Sequence, residues 1–148
     1  MAQAMYKHEA LLNLIWCVAD ADKSASDEWV GEVSNAEINY FNAIKAAEGI
    51  EIEYDAFMDK RFEIMLHMDL DAVFIEALKA TNGCAREWRV KAYGYMWRMA
   101  LKSWEGQFYN DGSLREASVN EKALLNQARE YFGLTEEEDS KSISLTKV

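Results

Sequence analysis

"SNAEINYFNAIKAAEG", residues 34–49, reads as one complete helix with both ends marked. Ser34 and, three residues later, Glu37 form a capping box. In such a box the serine oxygen accepts from a first-turn amide and the glutamate reaches back to the serine amide. Tyr40, Phe41, Ile44 and Ala47 recur at the three-and-four spacing of a helix face. Gly49 offers the left-handed residue on which many helices stop. The segment "SVNEKALLNQAREYFG", 118–133, repeats that pattern. Ser118 and Glu121 open it, Leu124, Leu125, Ala128, Tyr131 and Phe132 make the stripe, and Gly133 closes it.

The two segments lie 84 residues apart, and at that offset six positions between 27 and 50 are identical without a gap: Asp27/Asp111, Glu32/Glu116, Ser34/Ser118, Glu37/Glu121, Asn42/Asn126 and Gly49/Gly133. The order of elements also repeats: an apolar helix, an acidic stretch, a capping-box helix, then Gly-Ile or Gly-Leu. Two copies are too few for a solenoid. They predict a duplicated helical unit, roughly 5–54 and 85–138, around two long central apolar helices.

The rest of the chain is read the same way. Leu11, Leu12, Ile15, Val18 and Ala19 predict a first helix over roughly 3–20. Tyr54, Phe57, Met58, Phe62, Met65 and Leu66 form a third apolar stripe. Leu70, Val73, Phe74, Ala77 and Leu78 form a fourth, ended near Asn82-Gly83. From Cys84 to about Gln107 a long helix carries Trp88, Tyr93, Met96, Trp97, Met99, Leu101 and Trp104 on more than one face, which places it centrally. Thr135-Glu-Glu-Glu starts a short last helix before a polar tail, 139–148. No stretch alternates with period two, and there are no prolines. The expectation is a single all-α domain over 1–138 with six or seven helices.

Composition narrows the function classes. Half of the 148 residues are apolar and 12% aromatic, enough for a self-sufficient core. The formal charge of −10 predicts repulsion from nucleic acid and attraction to cations or a basic protein partner. No run approaches the roughly 18 apolar residues of a spanning helix, which leaves peripheral membrane association open. The N-terminus lacks the pattern of a secretory signal, and Cys17 and Cys84 lack ligand or CxxC spacing, so a cytoplasmic location with reduced thiols is expected.

Catalytic and metal motifs were tested against their geometry. The loop from Asp20 has Ala25 where an EF-hand needs glycine and Gly31 where it needs glutamate; the loop from Asn110 has Gly112 and Leu114 at ligand positions. Glu63 stands four residues before His67 rather than three, so the di-iron pattern fails. His67 reads as a capping or partly buried histidine and His8 as an exposed one. There is no nucleophile elbow and no phosphate-binding glycine loop, so a non-enzymatic protein is expected.

The acidic turns are what remain. Asp20 and Asp22 sit at a helix C-terminal end, where the dipole disfavours carboxylates by roughly 0.3–1 kcal/mol each. A bound cation would offset that cost, and an all-oxygen set suits Ca²⁺, Mg²⁺ or Mn²⁺. The candidate ligands are Asp20, Asp22, Glu37, Asp111 and Glu121. Capping and solvated surface are the competing reading of the same residues. The long helix also concentrates Arg86, Arg89, Lys91, Arg98 and Lys102, either as a docking face for an acidic partner or as internal pairing. Its aromatic residues are read as core rather than as a cofactor box.

This arrangement resembles the tellurite-resistance TerB-like family. The stretch "NDGSLREASVNEKALLNQAREYFGLTEEE", 110–138, is similar to that family's Asp-Gly, spacer, Glu, aliphatic helix and Gly-Leu-Thr with acids. In the first unit "LLNLIWCVADADKSASDE", 11–28, resembles its aliphatic helix ending in Ala-Asp-Gly, with Lys23 where the family has glycine. The resemblance covers about 5–138 and implies an all-helical cytoplasmic stress-response protein whose acidic residues hold a divalent metal. An interaction adaptor with no metal site is the alternative.

Overall fold

Seven helices and no strand make up the described residues of the computed structural model, which are 7–20, 35–67, 69–103 and 119–146. In chain order they are α1 (Lys7–Asp20), α2 (Asn35–Glu48), α3 (Tyr54–Met65), α4 (Leu70–Asn82), α5 (Arg86–Ser103), α6 (Val119–Phe132) and α7 (Glu136–Leu145). The chain is therefore an all-α bundle. None of these helices is long and apolar enough to cross a membrane.

The core is built around α1. Ala10, Leu11, Leu12 and every residue from Leu14 to Ala19 are buried, and so is Asn13, so this helix is enclosed on all sides from Ala10 to Ala19 with one polar residue among them. α4 packs along it through Phe74, Ala77 and Leu78, and α5 crosses it with Val90, Tyr93, Met96 and Met99. An aromatic cluster ties α1, α2 and α3 together. Phe41 sits edge-on to Trp16 at 5.1 Å and to Tyr54 at 5.6 Å, and is tilted against Phe57 at 5.3 Å. Such pairs contribute about 0.5–1.5 kcal/mol each beyond their buried area.

The two helices related by the 84-residue offset end alike. Gly49 and Gly133 each have φ of 66°, the left-handed conformation in which glycine carries no Cβ penalty. The Ile50 amide donates to the Lys45 carbonyl at 2.9 Å and the Leu134 amide to the Arg129 carbonyl at 3.2 Å. Gly49 and Gly133 donate to Ala46 and Glu130, completing two Schellman motifs, and the apolar residue after each glycine is buried. Ser34 and Ser118, the expected caps at the other ends, lie outside the described residues. The capping box that is described opens α7: Thr135 accepts from the Glu138 amide at 3.1 Å and Glu138 accepts from the Thr135 amide at 2.9 Å.

α7 corrects the expectation of a polar tail after 138. It runs on to Leu145 and packs closely along α5. Hydropathy hides this contact because its buried residues are small and polar: Ser142 and Thr146 are both fully buried. Their hydroxyls donate to the Asp139 and Ser142 carbonyls, at 2.6 and 2.9 Å, so burial leaves them satisfied. Gly94 of α5 provides the space. A Cβ there would lie 2.8 Å from Thr146 Cγ2 and overlap the Ser142 carbonyl.

Candidate functional site

Of the five candidate cation ligands, Glu121 is the one whose side chain is described. Asp22 and Asp111 lie outside the described residues. Asp20 ends α1 and Glu37 lies in the first turn of α2, but their side chains are likewise outside the description. Glu121 lies in the first turn of α6 and is 1% exposed. Solvated surface therefore does not describe it. A negative charge at this end of a helix is favoured by the dipole, whereas burial demands a bonded partner for it. Among the described residues no three His, Cys, Asp or Glu side chains come together in a way that could hold a metal.

The base of α5 is spent inside the molecule, largely on helix ends. Arg86 forks onto Glu138 at 2.6 Å and also donates to the Gly133 carbonyl at 2.8 Å. Arg89 reaches the Phe132 carbonyl, and Arg98 reaches the Ile143 carbonyl and Thr146 Oγ1. Three guanidinium groups thus satisfy carbonyls at the C-terminal ends of α6 and α7, where positive charge is favoured. The Arg86 guanidinium, with the Thr135 backbone amide, holds the Glu138 carboxyl down to about 2. Lys102 and Trp104 lie outside the side chains described.

A second polar cluster joins α2 to α5. Lys91 pairs with Glu48 at 3.0 Å, and Tyr95 donates to the same carboxylate at 2.5 Å. Partial burial acts to raise the Glu48 pKa, but the Tyr95 and Lys91 hydrogen bonds and the Lys91 charge outweigh it, leaving it below the ordinary carboxylate value. Burial, then the bond to Glu48, pushes the Tyr95 phenol upward. The pair therefore keeps its proton on tyrosine near neutral pH and acts as a clasp. Beside it, Lys7 lies 4.6 Å from the Trp88 ring centre. His8 lies tilted against the same ring at 5.9 Å, and it is half-buried rather than exposed. His67, by contrast, is exposed after α3.

The third feature is an apolar ridge on α3, formed by two residues of the third apolar stripe. Phe62 is 70% exposed and Leu66, at the end of the helix, is 66% exposed. The inward face is Tyr54, Phe57, Met58, Arg61 and Ile64, with Phe57 and Arg61 fully buried. Arg61 donates to Asn13 Oδ1 at 2.7 Å and to the Cys17 sulfur at 3.7 Å. A buried arginine thus takes the place where a stripe of apolar residues was expected. The signal lay in the spacing: Phe62 is five residues after Phe57, about 140° around a helix. Both cysteines are free thiols, Cys17 buried and Cys84 half-buried.

In comparisons with known proteins, no family model, no curated protein and no solved structure matches the chain.

Proposed function

We propose that this chain is a non-enzymatic, cytoplasmic stress-response module of TerB-like type, with a divalent-cation site in its acidic interhelical turns. The sequence resemblance supplies the class. The observation that supports these residues is Glu121, a carboxylate 1% exposed at the start of α6, ten residues after Asp111 in the sequence. Ca²⁺, Mg²⁺ or Mn²⁺ would be held by Asp20, Asp22, Glu37, Asp111 and Glu121 as oxygen ligands. The cation would neutralise carboxylates that a helix C-terminus disfavours.

A thermal-shift series with Ca²⁺, Mg²⁺, Mn²⁺ and Zn²⁺ tests this reading. A cation that binds only the folded chain, at about a hundred times its Kd, adds about 2.7 kcal/mol. That is a rise in melting temperature of roughly 5–10 °C for a domain of this size. The rise is expected with an oxygen-preferring cation and lost in Asp22→Asn/Asp111→Asn. No rise with any cation, or an equal rise in the double variant, refutes it.

The second reading is an interaction adaptor that works without metal. The exposed pair Phe62 and Leu66 favours it, because two large apolar side chains one turn apart on a helix surface are a contact waiting for a partner.

A further inference from the structure

We propose that the outer face of α3 docks a basic amphipathic helix of a partner protein, an inference that rests on the adaptor reading and specifies its partner. The face is composite. Asp55, Asp59, Phe62 and Leu66 follow one another at spacings of four, three and four residues and so lie in one row; all four are exposed. Glu63, also exposed, stands beside Phe62, one turn from Asp59. Among the described residues none of these three carboxylates has an ion-pair or hydrogen-bond partner for its side chain, whereas Lys60 on the same helix pairs with Glu9 at 3.0 Å. The row is therefore apolar toward the end of the helix and negatively charged toward its beginning.

Charge decides the occupant. A second copy would bring the same three carboxylates against each other in a chain whose net charge is already −10. An anionic membrane surface meets the same repulsion. A helix with leucine-like residues at the three-and-four spacing and lysine or arginine flanking them would cover Phe62 and Leu66 and neutralise Asp55, Asp59 and Glu63. This is helix-in-groove recognition in its flattest form, with two apolar anchors and a charged rim. The overall negative field would steer such a partner in and would make the association fall with salt.

The test uses the full chain and fluorescein-labelled synthetic helices. One carries leucines at helical spacing with lysines between them. In a second the lysines become glutamines, in a third glutamates, and a fourth is a scramble of the first. Fluorescence anisotropy is expected to show binding of the lysine helix, with affinity reduced about tenfold or more by Phe62→Ser/Leu66→Ser. Asp59→Asn/Glu63→Gln should weaken binding and flatten its salt dependence. Circular dichroism of both variants should match the parent, since the altered residues are exposed. Equal binding of the scramble, or full affinity in the Phe62→Ser/Leu66→Ser variant, overturns the proposal. A glutamine helix bound as tightly on the ridge overturns the basic partner while the adaptor reading stands. A concentration-dependent dimer abolished by the serine pair overturns it as well, making the ridge a self-interface.

Discussion

Gly94→Ala is the most demanding perturbation for the fold. In the middle of an exposed helix this change gains about 1 kcal/mol, because alanine is the better helix former. Here the added methyl would meet the Thr146 methyl at 2.8 Å and the Ser142 carbonyl carbon at 2.8 Å. The second of these is backbone, so relief requires α7 to move away from α5. That movement breaks the Arg98 bond to the Ile143 carbonyl and uncovers Ser142 and Thr146. Overpacking and lost bonds together cost about 2–4 kcal/mol, so the net expectation is a loss of about 1–3 kcal/mol. For a chain of this size that lowers the melting temperature by roughly 2–12 °C. Gly83→Ala is the matched control: its nearest neighbour is a carbonyl at 3.7 Å and its φ is −78°. That change should be neutral or mildly stabilising. The assay is thermal unfolding by circular dichroism, with hydrogen exchange of α7 amides as the local readout. If Gly94→Ala melts at or above the parent temperature with α7 still protected, the close α5–α7 crossing is refuted.

The remaining expectations concern charges and turns. Glu138 is held well below its ordinary value of 4.5, at about 2, so its pairing with Arg86 stabilises fully above pH 4.5 and fades as pH falls toward 2. Urea titrations of Glu138→Gln against the parent should therefore differ at pH 7 and converge near pH 2. Arg61→Ala should cost about 2–4 kcal/mol, because a fully buried guanidinium leaves Asn13 without its donor and opens a void beside Cys17. Gly49→Ala should lose about 1 kcal/mol through its φ of 66° alone, since nothing lies near the added methyl; equilibrium unfolding would show it. Phe62→Ser should change stability by less than about 0.5 kcal/mol, as expected of a side chain 70% exposed.

Helix identity was legible because it depends on local patterns. The apolar periods of α1, α4 and α5 and the glycine stops after α2 and α6 are visible in single windows of sequence, and all these helices form. What escaped depends on who the neighbour is. α3 carries enough apolar residues for two faces, and the packing of Tyr54 and Phe57 against Phe41 and of Arg61 against Asn13 and Cys17 decides which face turns inward. α7 looked like a tail because serine and threonine, not leucine, fill the notch above Gly94. The arginines of α5 showed as a cluster, yet their targets are backbone carbonyls of helices more than forty residues away. Of the candidate site, the burial of Glu121 was not visible in the sequence: a capping-box glutamate looks the same whether it faces water or the core.

The proposed cation site is tested most directly by titrating Mn²⁺ into the protein and following its amide NMR spectrum. Paramagnetic broadening marks the residues nearest the ion. The account predicts that the earliest and strongest losses fall on residues 20–22, on residue 111 and on residue 121 in the first turn of α6, with α3 and α7 spared. Early losses on the exposed carboxylates of α3 and α7 instead, or no selective loss at all, would contradict it.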